Sequence, residues 1–297
     1  SLHRPLQRRH DGDRDLVFFP ARHRHANFVE PRLLDRRLPR RAPGIGGPLH
    51  RLRIEKVRRL VPNFGDELPV ELHPSGWRLT SRPGRDLERT TALWRQDLDE
   101  LTEAYDGYTG PLKVAVAGPW TLASAVELPG GERAIVDLGA AREVTESLAD
   151  GIGSLLANLR RLIPGAAVIL QLDEPSLPAV LGGTIPTASG YGRLRAVDAQ
   201  GVIQGLDLVV AGALAAGATR TVIHCCDRTA AIPVLRQTGA QALALDLTDA
   251  SPARWESVAA TVESGTQVYA GLIATDAGTA EPPVGEIART VLDQADR

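Results

Sequence analysis

Residues 167–175 read Ala-Val-Ile-Leu-Gln-Leu-Asp-Glu-Pro. The six residues 167–172 have the length and apolar character of a buried strand, two carboxylates end it, and Pro175 holds the residue before it extended. Five further runs of this kind lie at 68–72, 112–117, 219–223, 241–245 and 267–272. Helical patterns separate them. The clearest spans 140–163 and sets Val144, Leu148, Ile152, Leu155, Leu159 and Leu162 on one stripe at spacings of three and four. Others are expected at 197–215, 230–236, 252–262 and 285–295, each after a polar or Gly/Pro break. Strand alternating with helix predicts an α/β fold built on a parallel sheet. Six parallel strands suit either an open doubly wound sheet or part of an eight-stranded barrel. The Gly-x-Gly-x-x-Gly phosphate fingerprint expected early in a dinucleotide-binding sheet is missing. The expectation is therefore a (β/α)8 TIM barrel, incomplete at both ends, occupying residues 66–297 and truncated at its C-terminus.

The 297 residues have a formal charge of -2, but the average conceals two compositions. Up to residue 60 there are 16 Lys/Arg against 6 Asp/Glu, a net of +10; beyond it there are 18 against 30, a net of -12. The first part also holds five of the seven His and only three Ala, and it is interrupted by Pro5, Pro20, Pro31, Pro39, Pro43 and Pro48. No helical or strand period runs through it. Residues 1–65 are read as a basic, aperiodic arm, disordered or translated out of frame. Comparing the alternative reading frames tests the second possibility: it is rejected if no frame yields a βα pattern. Aromatic residues are not interleaved with the charges, so a nucleic-acid partner is not expected. No run approaches the roughly 18 to 20 apolar residues of a membrane span, and no signal-peptide core follows the start. A cytoplasmic protein without a membrane partner is expected, and the adjacent Cys225 and Cys226 are expected to be reduced. The chain begins at Ser1 and contains no Met, which suggests a start that lies elsewhere.

In a barrel, chemistry gathers where strands end at their C-terminal side. Following the six runs gives Glu71 and His73, then Gly118-Pro119-Trp120-Thr121, Asp173-Glu174-Pro175, His224-Cys225-Cys226, Asp246, and a bland Ile273-Ala274-Thr275. His224 and Cys226 are one residue apart, so an extended chain turns both to one side. Imidazole and thiolate are preferred zinc ligands, and Asp246 at the next strand end would add an oxygen. The competing reading makes both Cys small buried apolar residues and His224 a hydrogen-bonded core residue. Asp173 and Glu174 are candidates for binding a substrate ammonium, with a structural ion pair as the alternative. Gly118-Pro119 reads as a turn opening a helix, and Trp77, Trp94, Trp120 and Trp255 as packing residues.

Taken together, Gly118-Pro119-Trp120-Thr121, Leu170-Gln171-Leu172-Asp173-Glu174-Pro175 and His224-Cys225-Cys226, on successive strands, resemble the C-terminal catalytic barrel of cobalamin-independent methionine synthase, especially its short actinobacterial-type members. Uroporphyrinogen decarboxylases share that superfamily without the zinc ligands. The resemblance implies methyl transfer to the thiol of homocysteine, with zinc on the positions of His224, Cys226 and Asp246 and on a further Cys beyond Arg297. It implies that Asp173 holds the substrate amino group. Asp246 replaces the Glu of the full-length synthases; the folate-packing Trp falls near Ala125 and the proton-donating His near Leu272. These departures favour a corrinoid-bound methyl donor over a folate and leave the zinc site incomplete. A decarboxylase-like enzyme and a non-catalytic remnant of the family remain as alternatives.

Overall fold

A computed structural model describes residues 17–19 and 68–272, apart from 83 and 249, together with Gly285 and Arg289. In chain order its elements are β1 (Val17–Phe19), β2 (Val70–His73), β3 (Gly76–Leu79), α1 (Arg85–Ala104), β4 (Gly110–Ala117), α2 (Pro119–Ala125), α3 (Leu138–Leu162), β5 (Ala166–Asp173), α4 (Leu177–Gly182), α5 (Ala199–Ala215), β6 (Arg220–Cys225), α6 (Ile232–Leu235), β7 (Ala242–Asp246), α7 (Pro252–Glu263) and β8 (Gln267–Gly271), with a 3-10 turn at Ala134–Val136. Of the helix expected at 285–295 only Gly285 and Arg289 are described, and both are helical.

Six strands form one parallel sheet in the order β1-β8-β7-β6-β5-β4. Neighbours from β4 to β8 are consecutive in the chain, as βα units require. β1 lies beside the last of them, Val17 opposite Tyr269 and Phe19 opposite Gly271. This strand falls inside the arm read as aperiodic, where three residues are too few to show a period. Among the described residues the sheet has two edges, β1 and β4, so what is seen is an α/β parallel sheet, without the closure of an eight-stranded barrel.

The run at 68–72 takes another path from the one expected. Val70–His73 pairs antiparallel with Gly76–Leu79 in a separate two-stranded sheet. The reversal occupies Pro74 and Ser75, and Gly76 follows at φ 145°, a region that favours glycine. A hairpin turn thus removes this strand from the parallel sheet. Helix α1 was not anticipated either. Nine of its twenty residues are charged, which dilutes its apolar stripe, and only Thr90 and Leu98 are buried along it.

The other helices follow from local chemistry. The Asp137 side chain accepts a hydrogen bond from Ala140 N at 3.0 Å and so caps α3, while Arg160 and Arg161 sit in its last turn, where cations oppose the helix dipole favourably. Asp198 caps α5 and Ser251 caps α7 in the same way, and α7 carries Pro252 in its first turn. Val144, Leu148, Ile152, Leu155 and Leu159 of α3 are buried as a stripe. They share one core with Leu170 and Leu172 of β5, Ile223 and Cys225 of β6, Leu243 and Leu245 of β7, and Val202, Leu206 and Val209 of α5. One face of the sheet is therefore sealed by helices. No helix among the described residues is long and apolar enough to cross a membrane.

Candidate functional site

The opposite face of the sheet carries the polar residues. Pairing sets Ala117, Asp173, His224, Ala244 and Tyr269 side by side across β4 to β8. Residues two apart on a strand share a face, which adds Lys113, Gln171, Arg220, Asp246 and Gln267. Val222, Ala242 and Tyr269 form a small apolar cluster among them, with Ile169 and Ala244 packed on it.

A chain of hydrogen bonds climbs this face toward the strand ends. Lys113 Nζ donates to Gln171 Oε1 at 3.0 Å, and Gln171 Nε2 donates to Asp173 Oδ1 at 2.7 Å. His224 Nδ1 lies 2.9 Å from the same oxygen. A carboxylate only accepts, so with Asp173 in that form Nδ1–H of His224 is the donor. The side chains of His224 and Asp173 are 14% and 23% exposed, so the pair is sheltered yet within reach of solvent. At the other end of β6, level with Ile169, Arg220 Nη1 donates to Gln267 Oε1 at 2.5 Å and to Tyr269 OH at 3.3 Å.

Glu174, the other carboxylate expected to meet substrate, stands elsewhere. It is fully buried on the helix side. Its Oε1 accepts from Trp120 N at 2.9 Å, and its Oε2 accepts from Thr121 N at 2.8 Å and Thr121 Oγ1 at 2.6 Å. Burial pushes its carboxyl up to about 7, against these three hydrogen bonds and with a further upward push from the charge of Asp173. Room for it exists because residue 118 is Gly. An added Cβ there would meet Glu174 Oε1 and lie 2.5 Å from Cδ and 2.6 Å from Cγ. Gly118-Pro119 opens α2, and Trp120 packs in the core while donating Nε1 to Val202 O at 3.0 Å.

The expected metal ligands are differently engaged. His224 is held by Asp173. β6 ends at Cys225, so Cys226 begins the following loop and is exposed, whereas Cys225 is buried and its thiol is pushed by burial up to about 12. Neither forms a disulfide. Asp246 Oδ1 accepts from Thr248 N at 3.0 Å and from Thr248 Oγ1 at 2.7 Å, and Oδ2 faces Arg228 Nε at 3.8 Å. Among the described residues no group of three or more His, Cys, Asp or Glu side chains is placed to hold a metal ion. The three donors present do not fit a zinc centre by themselves. His73, near the first predicted strand end, sits on the hairpin with Nδ1 3.0 Å from Ser75 Oγ, away from the parallel sheet.

Two further acids were not anticipated. Glu127 is buried, which works to raise its pKa, but hydrogen bonds from Ser75 and Arg78 and the charges of Arg133 and Arg78 outweigh burial and hold the carboxyl below its usual range. Asp227, next to Cys226, is lowered by hydrogen bonds from the Thr229 hydroxyl at 2.6 Å and Thr229 N at 2.7 Å. Both bonds are local, and the Asp-x-Thr spacing is the signal for the second.

No family model matches the chain, and no curated protein sequence matches it. In structure it is similar to a B12-independent methionine synthase from Shewanella sp. W3-18-1, solved in complex with selenomethionine, at 14% identity and a TM-score of 0.37. The similarity covers 60% of this chain and 59% of that one, so the chain spans less than two thirds of its length.

Proposed function

We propose that this chain binds an amino-acid thiol, homocysteine, at the polar strand ends and takes part in transfer of a methyl group to its sulfur. The observation that carries this reading is the carboxylate of Asp173. Both of the hydrogen bonds described for it fall on Oδ1, from Gln171 and His224, so the group is held in place, and Oδ2 would accept from a ligand cation. A substrate ammonium is the chemistry that such an oxygen selects. The motif order from Gly118 to Cys226 supplies the identity of the reaction.

In the transfer, the thiol first gives its proton to solvent, the thiolate sulfur then forms a bond to the methyl carbon, and the bond from that carbon to its donor breaks with its electron pair staying on the donor. The donor we favour is a methylcorrinoid, with a methylfolate as the alternative. Zinc would supply thiolate stabilisation, but the described residues do not assemble a centre for it, and no step is derived through a metal. What the chain's own residues do is bind and orient. Asp173 takes the ammonium, Gln171 and Lys113 brace Asp173 from below, and His224 braces it from the side.

Calorimetric titration of homocysteine into the purified chain tests the reading. The wild type is expected to bind, and Asp173→Asn to bind about tenfold or more weakly, as loss of a charge-assisted contact implies. Equal affinity in the two proteins, or no binding to the wild type, rejects it. Methylation assayed with each donor separates the two donor classes, and efficient turnover with the folate alone rejects the corrinoid preference.

A further inference from the structure

We propose that Glu174 is a positioning residue, a buried clamp that joins the first turn of α2 to the ends of β5 and β6 and thereby sets where Asp173 and His224 stand. The inference deepens the proposed substrate site and rests on that reading for its functional consequence.

Asp173 and Glu174 are consecutive at a strand end, so their side chains leave the backbone toward opposite sides. Asp173 faces the polar side, and Glu174 enters the space under the β4–α2 corner. There it makes no contact suited to a substrate. All three of its side-chain hydrogen bonds come from Trp120 and Thr121, residues of one turn. Its backbone makes the other half of the clamp. Glu174 N donates to His224 O at 2.7 Å, and Gly118 N donates to Asp173 O at 2.8 Å. Three successive strand ends are thus cross-linked around one side chain.

The chemistry demands a carboxyl at this place. A carboxylate accepts all three bonds, and a protonated carboxyl keeps them too, donating its hydrogen to Thr121 Oγ1 while the hydroxyl hydrogen of Thr121 turns away. An amide cannot. Whichever way it is turned, its NH2 faces a backbone N–H of Trp120 or Thr121, so one bond is lost and two donors confront each other. The cavity allows no retreat, since Gly118 already lies against the carboxyl group. A misplaced Glu174 must shift the peptide that carries Asp173 or the carbonyl of His224.

The experiment compares wild type, Glu174→Gln and Thr121→Val by two readouts. The first is the His224 ring in 15N-edited NMR spectra, where an Nδ1–H held by Asp173 is a signature that global stability does not move; circular dichroism reports the fold in parallel. The second is homocysteine affinity. Glu174→Gln is expected to stay folded, to shift or lose the Nδ1–H signature, and to weaken binding about tenfold, the worth of one hydrogen bond to a charged group. Thr121→Val, which removes one bond of three, is expected to give a smaller shift in the same direction. A folded Glu174→Gln protein with the wild-type signature and affinity overturns the proposal. If that variant does not fold, an unchanged signature in Thr121→Val overturns it instead. If wild type binds no homocysteine, the substrate reading falls, while the His224 signature still decides the role of Glu174.

Discussion

Replacing Gly118 by alanine adds one methyl group where, of the described glycines, a Cβ would find the least room. The backbone tolerates it, because Gly118 sits at φ -77° and ψ 166°, open to any residue. The cost is therefore steric and local. The new Cβ would meet Oε1 of Glu174 and lie 2.5 Å from its Cδ, so the carboxyl must move away from the N–H groups of Trp120 and Thr121. Losing one hydrogen bond to this group costs about 1.5–3 kcal/mol, and overpacking adds about 1–3 kcal/mol. Together these give on the order of 3–5 kcal/mol, which for a domain of this size lowers Tm by roughly 10 °C. Urea unfolding followed by tryptophan fluorescence measures it directly. A variant within about 1 kcal/mol of wild type would show that Glu174 is not pinned, and would refute the argument from close packing.

Gly153→Ala makes the matched control, since nothing lies within 4 Å of a Cβ at that position in α3; it is expected to raise stability by about 0.5–1 kcal/mol in the same assay, and a loss would refute the open space. The Glu174 carboxyl, raised from 4.5 to about 7, holds its proton in the folded chain where the unfolded chain has released it. Its contribution is fully present below about pH 4.5 and is lost as pH rises through about 7, a decline on the order of 3 kcal/mol, so stability measured from pH 5 to 8 should fall more steeply in wild type than in Glu174→Gln; parallel slopes would contradict this. Of the two thiols, exposed Cys226 is expected to react promptly with a disulfide reagent in the native protein, and Cys225 only on unfolding, because burial pushes its thiol up to about 12; two fast thiols would refute the placement.

Much of the sheet was readable because its strands are short apolar runs with one stripe of helix between them. The run at 167–172 appears within Ala166–Asp173, and that at 219–223 overlaps Arg220–Cys225. The run at 68–72 misled because nothing in five apolar-rich residues distinguishes a parallel partner from one arm of a hairpin; the difference lies in Pro74-Ser75-Gly76. The meeting of Asp173 with His224 was half legible. Their places at successive strand ends could be read, but their hydrogen bond depends on a register between residues 51 apart. Which of Asp173 and Glu174 points inward depends on the same register, so both looked available to substrate. Asp246 looked available too, although Asp246-Leu247-Thr248 spells the side-chain turn that engages its carboxylate. The bracing by Gln171 and Lys113 was visible only as single polar residues, each between two apolar neighbours, in otherwise apolar strands.

The pairing of β1 with β8 has a consequence for how this chain is made. Strands β4 to β8 find partners locally; Gly110 meets Ala166 across 56 residues. Val17 meets Tyr269 across 252. The longer closure costs about 1 kcal/mol more in chain entropy, and it cannot occur until β8 has been synthesised. Among the described strands, the first to be synthesised is thus the last to be paired. A stalled or shortened translation product would leave Val17–Phe19 without its partner strand, and its exposed backbone groups would be open to pairing with a neighbouring chain.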